Sequence, residues 1–296
     1  MIIPGFLLGR TGVMSDEQSK GLSTVIVNVT WPCLIVISLQ RDFSKELCIN
    51  MGILAIAMIA AMVIAYIIAR GLCKVMKSLD DSKAYLLTFM LMFGNTGFMG
   101  IPVCAALYGS EGTFYAALID AVQDIFIFTV GIILIERSTG KHIGLSVKHF
   151  LTPGMASIVV GLGLFVAGIT LPSIISVPME TVGSATAPLA MMVVGFQLGR
   201  LSFKDLLEDK RLYVMSAFRL LAIPLIFLAG VLLIFPDMSL IGKVIVVEMA
   251  TPVGACTTIF AQQYDGDVGF STKGVMLSTV LSLVTLSVFA VIVEII

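Results

Sequence analysis

The chain has 296 residues, 58% of them apolar and 12% charged, with a mean hydropathy of +1.06. A soluble domain carries about a quarter charged residues, so this composition describes an integral membrane protein. A net charge of −1 argues against nucleic-acid binding, which needs a basic patch.

Met1 to Gly9 is apolar and Arg10 follows at once. That stretch is too short to span a bilayer and lacks the basic start of a signal peptide. It reads as a partial helix, the tail of a first helix whose beginning is missing or encoded upstream. Ser15-Asp16-Glu17-Gln18 is a helix start, with Ser15 as N-cap and Gln18 at the capping-box position. The second span runs from there to about Leu39 and contains Asn28, Thr30 and Pro32. Arg41, Asp42, Lys45 and Glu46 mark a loop, and the third span covers about Leu47 to Ala69. A basic loop follows, with Arg70, Lys74, Lys77 and Lys83.

The fourth span lies in a charge-free run from Ala84 to Ser110, long enough to cross a membrane. It contains Gly94, Asn95, Thr96, Gly97, Gly100 and Pro102. Pro removes a backbone donor and glycine loosens the helix, so the spacing predicts a break at mid-membrane depth. Broken backbone survives there only when buried in protein or lining a wet cavity. Gly109-Ser110-Glu111-Gly112 turns the chain into a fifth span, about Thr113 to Ile135, which holds Asp120, Gln123 and Asp124.

The polar stretch Glu136 to Phe150 divides the halves, a first repeat over 1–136 and a second over 151–296, with 137–150 as a cytoplasmic linker. The sixth span is about Leu151 to Leu171, and Pro172 to Pro178 reads as a link. The seventh span, about Thr181 to Leu198, has Pro188 at its middle. The eighth, about Leu212 to Phe235, holds Arg219 and Pro224. The ninth, about Leu240 to Gln262, is broken at Thr251-Pro252-Val253-Gly254. After a turn at Tyr264 to Asp267, the tenth runs from about Phe270 to the end.

That makes nine complete spans and one partial one. Numbering the loops alternately puts fourteen Lys and Arg residues on one side, from Arg10 and Lys20 to Lys273. The other side has three, Arg41, Lys45 and Lys243, so the first side is expected to be cytoplasmic and both termini outside. The halves look alike. Trp31-Pro32 and Ala187-Pro188 lie 156 residues apart, as do Tyr108 and Tyr264, and Phe114 and Phe270. Gly94 and Pro252 lie 158 apart. Five spans per half turn the second repeat upside down, the inverted-repeat architecture of many secondary transporters. Two interrupted spans in matching positions point to a substrate site at the breaks.

The second half of a broken helix offers N–H groups and a dipole end to an anion. Gly94, Asn95, Thr96 and Gly97 at the first break, and Thr251, Pro252, Val253 and Gly254 at the second, are therefore the candidate substrate-binding residues. Asn95, Thr96 and Thr251 add side-chain donors, and the backbone of Val253 and Gly254 serves the second break. The competing reading is that small and polar residues only allow close helix packing. Asp120 and Asp124, at i and i+4, share a helix face, with Gln123 beside them. An acid inside a span costs about 3 kcal/mol and usually marks an ion path or relay. Two close carboxylates raise one pKa, which suits a proton carrier. The alternative is an ion pair with Arg219. Glu248, one turn before Pro252, either lines the cavity or pairs with Arg219. Asp120, Asp124 and Glu248 are thus candidates for coupling to an ion, a proton or sodium. Ser278, Ser282 and Thr285 share a face of the tenth helix, where packing is the first role and cavity lining the second.

Other chemistry is poorly supported. Cys33, Cys48, Cys73, Cys104 and Cys256 show no CxxC spacing and read as buried inert thiols. His142 and His149 share one loop without a cluster of ligands, so no metal site is expected, and no cofactor. Tyr264-Asp265 and Gly266-Asp267 echo intramembrane proteases, but those need acids on separate spans. The glycine triplet at 94, 97 and 100 lacks the strand-turn-helix setting of a nucleotide fingerprint.

Phe93-Gly94-Asn95-Thr96-Gly97-Phe98-Met99-Gly100-Ile101-Pro102 closely resembles the fourth-helix motif of the auxin efflux carrier family. Glu248 to Gly254 with Phe260-Ala261-Gln262-Gln263-Tyr264 resembles its ninth helix, and Ser278 to Leu286 its last. The likeness covers nearly the whole chain except the N-terminus, where family members carry a full first helix. It implies an all-α membrane fold of ten helices in two inverted five-helix repeats, shared with the wider bile-acid symporter-like superfamily. It further implies crossing broken helices and an elevator movement. The first, second, sixth and seventh helices would be scaffold; the third to fifth and eighth to tenth would move. The implied substrates are small organic anions, auxin-like or malate-like carboxylates. The implied setting is a bacterial inner membrane with lipid around a homodimer. A membrane sensor that binds a ligand or lipid without moving it is the alternative function.

Overall fold

A computed structural model describes residues 2–40, 45–76, 79–140, 153–200, 209–234 and 238–296. Arg41, Asp42, Lys77, the linker residues Lys141 to Phe150 with both histidines, and Lys204 lie outside the described residues. Among the described residues the regular structure is helical, and β-type pairing is confined to one bridge, Gly94 with Val253. Six helical stretches are long and apolar enough to cross a membrane: Asp16–Ser38, Lys45–Val75, Thr96–Thr139, Ser173–Phe196, Lys210–Ile234 and Val268–Ile295. Large apolar side chains stand open on them, with Ile56 69% and Leu233 85% exposed. Such faces are at ease against lipid, where burial in protein brings no hydrophobic gain.

The chain divides into two compact units, each assembled from segments of both sequence halves. Unit 1 comprises Met1–Ile53, Gly97–Ala121 and Val147–Leu201. Its first helix, α1 (Ile2–Thr11), lies against α10 (Thr186–Gly199) at backbone contact. A Cβ on Gly5 would sit 2.1 Å from the Met192 carbonyl oxygen, and one on Gly9 2.4 Å from that of Phe196. The Gly-x-x-x-Gly spacing thus lets two helices touch main chain to main chain. α2 (Asp16–Val25) carries the expected capping box: Ser15 Oγ accepts from Gln18 N at 3.2 Å, and Gln18 Oε1 from Ser15 N at 2.8 Å. A π turn (Ile26–Thr30) links it to α3 (Trp31–Ser38). Pro32 has no N–H to give, and its neighbour Trp31 donates to Ile26, five residues back.

The expected link from Pro172 to Pro178 is corrected. Only Pro172 is extended, and α9 (Ser173–Ser184) runs through Pro178. Pro178 is the sixth residue of α9, so the helix continues there although the Ile174 carbonyl loses its i+4 donor. The interruption falls instead at Ala185, ahead of Pro188. The thiols also differ from expectation: Cys104 is buried, Cys48 is exposed and the other three are half-buried.

Unit 2 comprises Leu54–Thr96, Val122–Ser146 and Ser202–Ile296. Most of the long α4 (Lys45–Val75) belongs to it, with α5 (Asp81–Met92), α7 (Ile132–Thr139), α11 (Lys210–Ala217), α12 (Ile223–Ile234), α13 (Leu240–Met249), α14 (Cys256–Gln263) and α15 (Val268–Ile295). A π turn (Phe218–Ala222) joins α11 to α12 just before Pro224, and Ile223 donates back to Phe218. This repeats the device seen at Pro32. Three helix starts carry aspartate caps: Asp80 on α5, Asp209 on α11 and Asp267 on α15. Cations tie them together. Arg211 Nε bonds Asp209 Oδ1 at 2.7 Å, and Lys83 Nζ lies 3.5 Å from Asp80 and 4.0 Å from Asp267. The core holds Phe89 and Phe93 at 4.6 Å between ring centroids, with Phe260 5.9 Å from Phe89.

Candidate functional site

Both expected breaks occur, and in unit 2 they meet. α5 ends at Met92, Phe93 is extended, and helical geometry resumes at Thr96. α13 ends at Met249, and α14 starts at Cys256. Asn95 N donates to the Pro252 carbonyl at 2.8 Å, and Gly254 N to the Phe93 carbonyl at 2.9 Å. Between these two bonds Gly94 faces Val253 as an antiparallel pair. Each break satisfies the other's backbone, which is what unwound chain at this depth requires.

The pairing leaves the amide and carbonyl of Gly94 pointing away from Val253. Gln123 takes both: Gly94 N donates to Gln123 Oε1 at 3.1 Å, and Gln123 Nε2 donates to the Gly94 carbonyl at 3.0 Å. The same Nε2 donates to Thr96 Oγ1 at 2.7 Å. Ser278 on α15 serves the other side, where Val253 N donates to its hydroxyl at 3.2 Å. The expectation that Val253 and Gly254 present free amides is therefore corrected. Both are spent inside the crossing, as are those of Gly94 and Asn95.

Arg219 lies behind the crossing and is 3% exposed. Its Nε donates to the Thr251 carbonyl at 3.0 Å, Nη2 to Thr251 Oγ1 at 3.2 Å and Nη1 to the Leu91 carbonyl at 3.5 Å. These oxygens lie at the carboxyl ends of the two first half-helices. Thr251 Oγ1 in turn donates to the Glu248 carbonyl at 2.6 Å. Glu248 is fully buried. Gly94 is required by the same guanidinium: a Cβ there would lie 1.9 Å from Arg219 Nη2.

In unit 1, Gly97 opens the helix that follows the first break. A Cβ on it would meet the Trp31 ring at 2.7 Å and Asp120 Oδ1 at 3.3 Å. Trp31 and Phe98 also pack edge to face, with centroids 6.0 Å apart. The buried carboxyl of Asp120 thus lies beside Gly97, while Asp124, one turn on, is half-buried. Asn95 is 7% exposed, Thr96 1% and Thr251 0%, so the polar side chains expected at the breaks are all interior.

The sequence matches the family described as membrane transport protein over residues 1–290. The chain belongs to that family. This is the auxin efflux carrier family that the fourth-helix motif resembles. A protein of Methanothermobacter thermautotrophicus called an uncharacterized transporter is 28% identical over 295 residues, covering 99% of this chain and 95% of that protein. Another of that description, from Methanocaldococcus jannaschii, is 24% identical over 297 residues, covering 98% and 94%. With six long apolar helical stretches among the described residues, this member of the membrane transport protein family is a multi-pass membrane protein.

Gln123, Arg219 and Ser278 are the crossing residues that sequence reasoning did not place there. Gln123 had a signal, an uncharged amide within a span three residues from an acid. A carboxamide matches a backbone N–H and C=O at once, which suits it to an unwound glycine.

Proposed function

We propose that this protein is a secondary carrier of small organic anions such as auxin-like or malate-like carboxylates. The observation that carries the reading is the meeting of two interrupted helices at Gly94 and Val253. Two second half-helices begin there, Thr96 onward and Cys256 onward, so two amino-terminal dipole ends start at the crossing. Such dipole ends attract a carboxylate without a lysine or arginine facing it. Because the crossing uses the amides of Gly94, Asn95, Val253 and Gly254, the anion falls to the Asn95 side chain and to the dipole ends. Asp120, beside Gly97, is the candidate proton carrier.

The movement is of elevator type, by which one compact unit carries the site across the membrane. The grouping of α1 to α3 with α8 (Pro153–Ala167), α9 and α10 in unit 1 supports a scaffold of the first, second, sixth and seventh helices. Gly97–Ala121 groups with that unit too, where the fourth and fifth helices were expected wholly among the mobile ones. An inverted five-plus-five repeat with Lys and Arg on the cytoplasmic side and both termini outside accounts for the matched breaks and the loop charges.

Uptake of labelled organic acids into proteoliposomes tests the reading. Saturable accumulation of a carboxylate, reduced by Asn95→Ala, is expected. Binding without accumulation would make the protein a sensor and end the carrier proposal.

A further inference from the structure

The charge at the crossing needs an account that anion binding does not supply. The carboxyl ends of two helices each carry about half a negative charge, and here both ends come together. Thr251, whose carbonyl and hydroxyl lie there, is tied to the same half-helix by its hydroxyl, which donates to the Glu248 carbonyl at 2.6 Å. Unwound carbonyls and half-helix carboxyl ends are where secondary carriers hold a coupling cation. In this chain that place is filled. Arg219 Nε is 3.0 Å from the Thr251 carbonyl, Nη2 3.2 Å from its hydroxyl and Nη1 3.5 Å from the Leu91 carbonyl. Gly94 gives the guanidinium room, since a Cβ would stand 1.9 Å from Nη2. Arg219 itself sits on the π turn Phe218–Ala222, one residue in, where the widened backbone precedes Pro224.

We propose that Arg219 is a tethered cation occupying the carbonyl ends of the two unwound helices, the place of a coupling sodium ion, so that the crossing takes no sodium. A sodium ion would need the same oxygens and would meet a fixed positive charge on arrival. In a low-dielectric interior that repulsion is large. The consequence for transport rests on the carrier reading above; the cation site itself does not. Of the two coupling ions open at the outset, sodium is removed and a proton on Asp120 or Asp124 is left.

The test is thermal melting of the purified protein and of R219K and R219Q in NaCl, KCl and choline chloride, each with and without millimolar guanidinium. The parent and R219K are expected to melt at one temperature in all three salts. R219Q is expected to melt below R219K, and to rise selectively with sodium or guanidinium. A parent that sodium stabilises over potassium and choline overturns the proposal. So does an R219Q protein as stable as R219K, since a donor without charge then suffices. If R219Q cannot be isolated while R219K can, the need for charge is upheld and the salt series on R219K decides the rest. In proteoliposomes a sodium gradient should leave anion flux unchanged. Absence of any flux would sink the carrier reading alone, because the melts report on the cation site without transport.

Discussion

Gln123 grips Gly94 at both ends, accepting from its amide at 3.1 Å and donating to its carbonyl at 3.0 Å. One side chain thereby does for an unwound residue what a neighbouring strand would do. It follows that Gln123→Leu should cost about 3 kcal/mol, since two buried backbone groups lose their partners. Gln123→Glu should cost at least as much, because a buried carboxylate sets an acceptor against the Gly94 carbonyl. Unfolding in detergent by denaturant or heat measures both. A neutral Gln123→Leu would show that the crossing holds without this grip.

Gly94→Ala should destabilise by about 1–3 kcal/mol, as overpacking does in a filled interior. The new methyl would meet Arg219 Nη2 at 1.9 Å and Thr251 Oγ1 at 2.7 Å. Lysine at 219 has no forked head, so Gly94→Ala and Arg219→Lys should be less than additive. A double-mutant cycle reads this coupling directly. Additive losses would mean that the two sites do not share the space.

Acid stability should depend on the caps outside the membrane. The side-chain hydrogen bond from Arg211 holds the Asp209 carboxyl below its ordinary range, as the Lys83 amide does for Asp80. A carboxyl depressed in the folded state contributes stability above its unfolded value, near pH 4, and loses it as pH falls toward the folded value. Arg211→Ala should therefore move the acid unfolding midpoint upward, and Asp209→Asn should remove its share of that acid limb. Melting curves from pH 6 down to about pH 2 follow both.

Proton coupling, if it runs through the fifth span, should respond to the acids one at a time. Asp120 lies buried beside Gly97, whereas Asp124 is half-buried. Asp120→Asn is expected to flatten the pH dependence of transport more than Asp124→Asn. Initial uptake rates between pH 5 and pH 8 separate them, and unchanged profiles in both variants would remove either acid as carrier.

Much of this architecture is written locally and so could be read from the chain. Ser15 and Gln18 make a capping box because the two residues answer each other across one turn. Gly94, Pro102 and Pro252 announce breaks because their effects act on the nearest backbone. Hydropathy places both breaks deep in apolar runs. What the chain does not display is register across distance. Nothing near Val253 says that its amide goes to Ser278, or that Asn95 and Gly254 are spent on Pro252 and Phe93. The amides expected to await an anion were for that reason overcounted. Arg219 was visible as a charge in a span, yet its partners turned out to be two carbonyls and a hydroxyl, and carbonyls carry no mark in a sequence. The stretch from Pro172 to Pro178 misled in the other direction. Pro178 sits inside a helix that runs on past it, and a proline's local cost does not show whether the surrounding packing outweighs it.

The bonds from Asn95 to Pro252 and from Gly254 to Phe93 also bear on how the chain is made. Gly94 leaves the ribosome 158 residues before Pro252. At ordinary elongation speeds the first interrupted helix waits on the order of ten seconds for its mate. During that wait its naked peptide groups cannot rest in hydrocarbon. Insertion of the fourth helix must then be held back, or sheltered by the insertion machinery, until the ninth arrives.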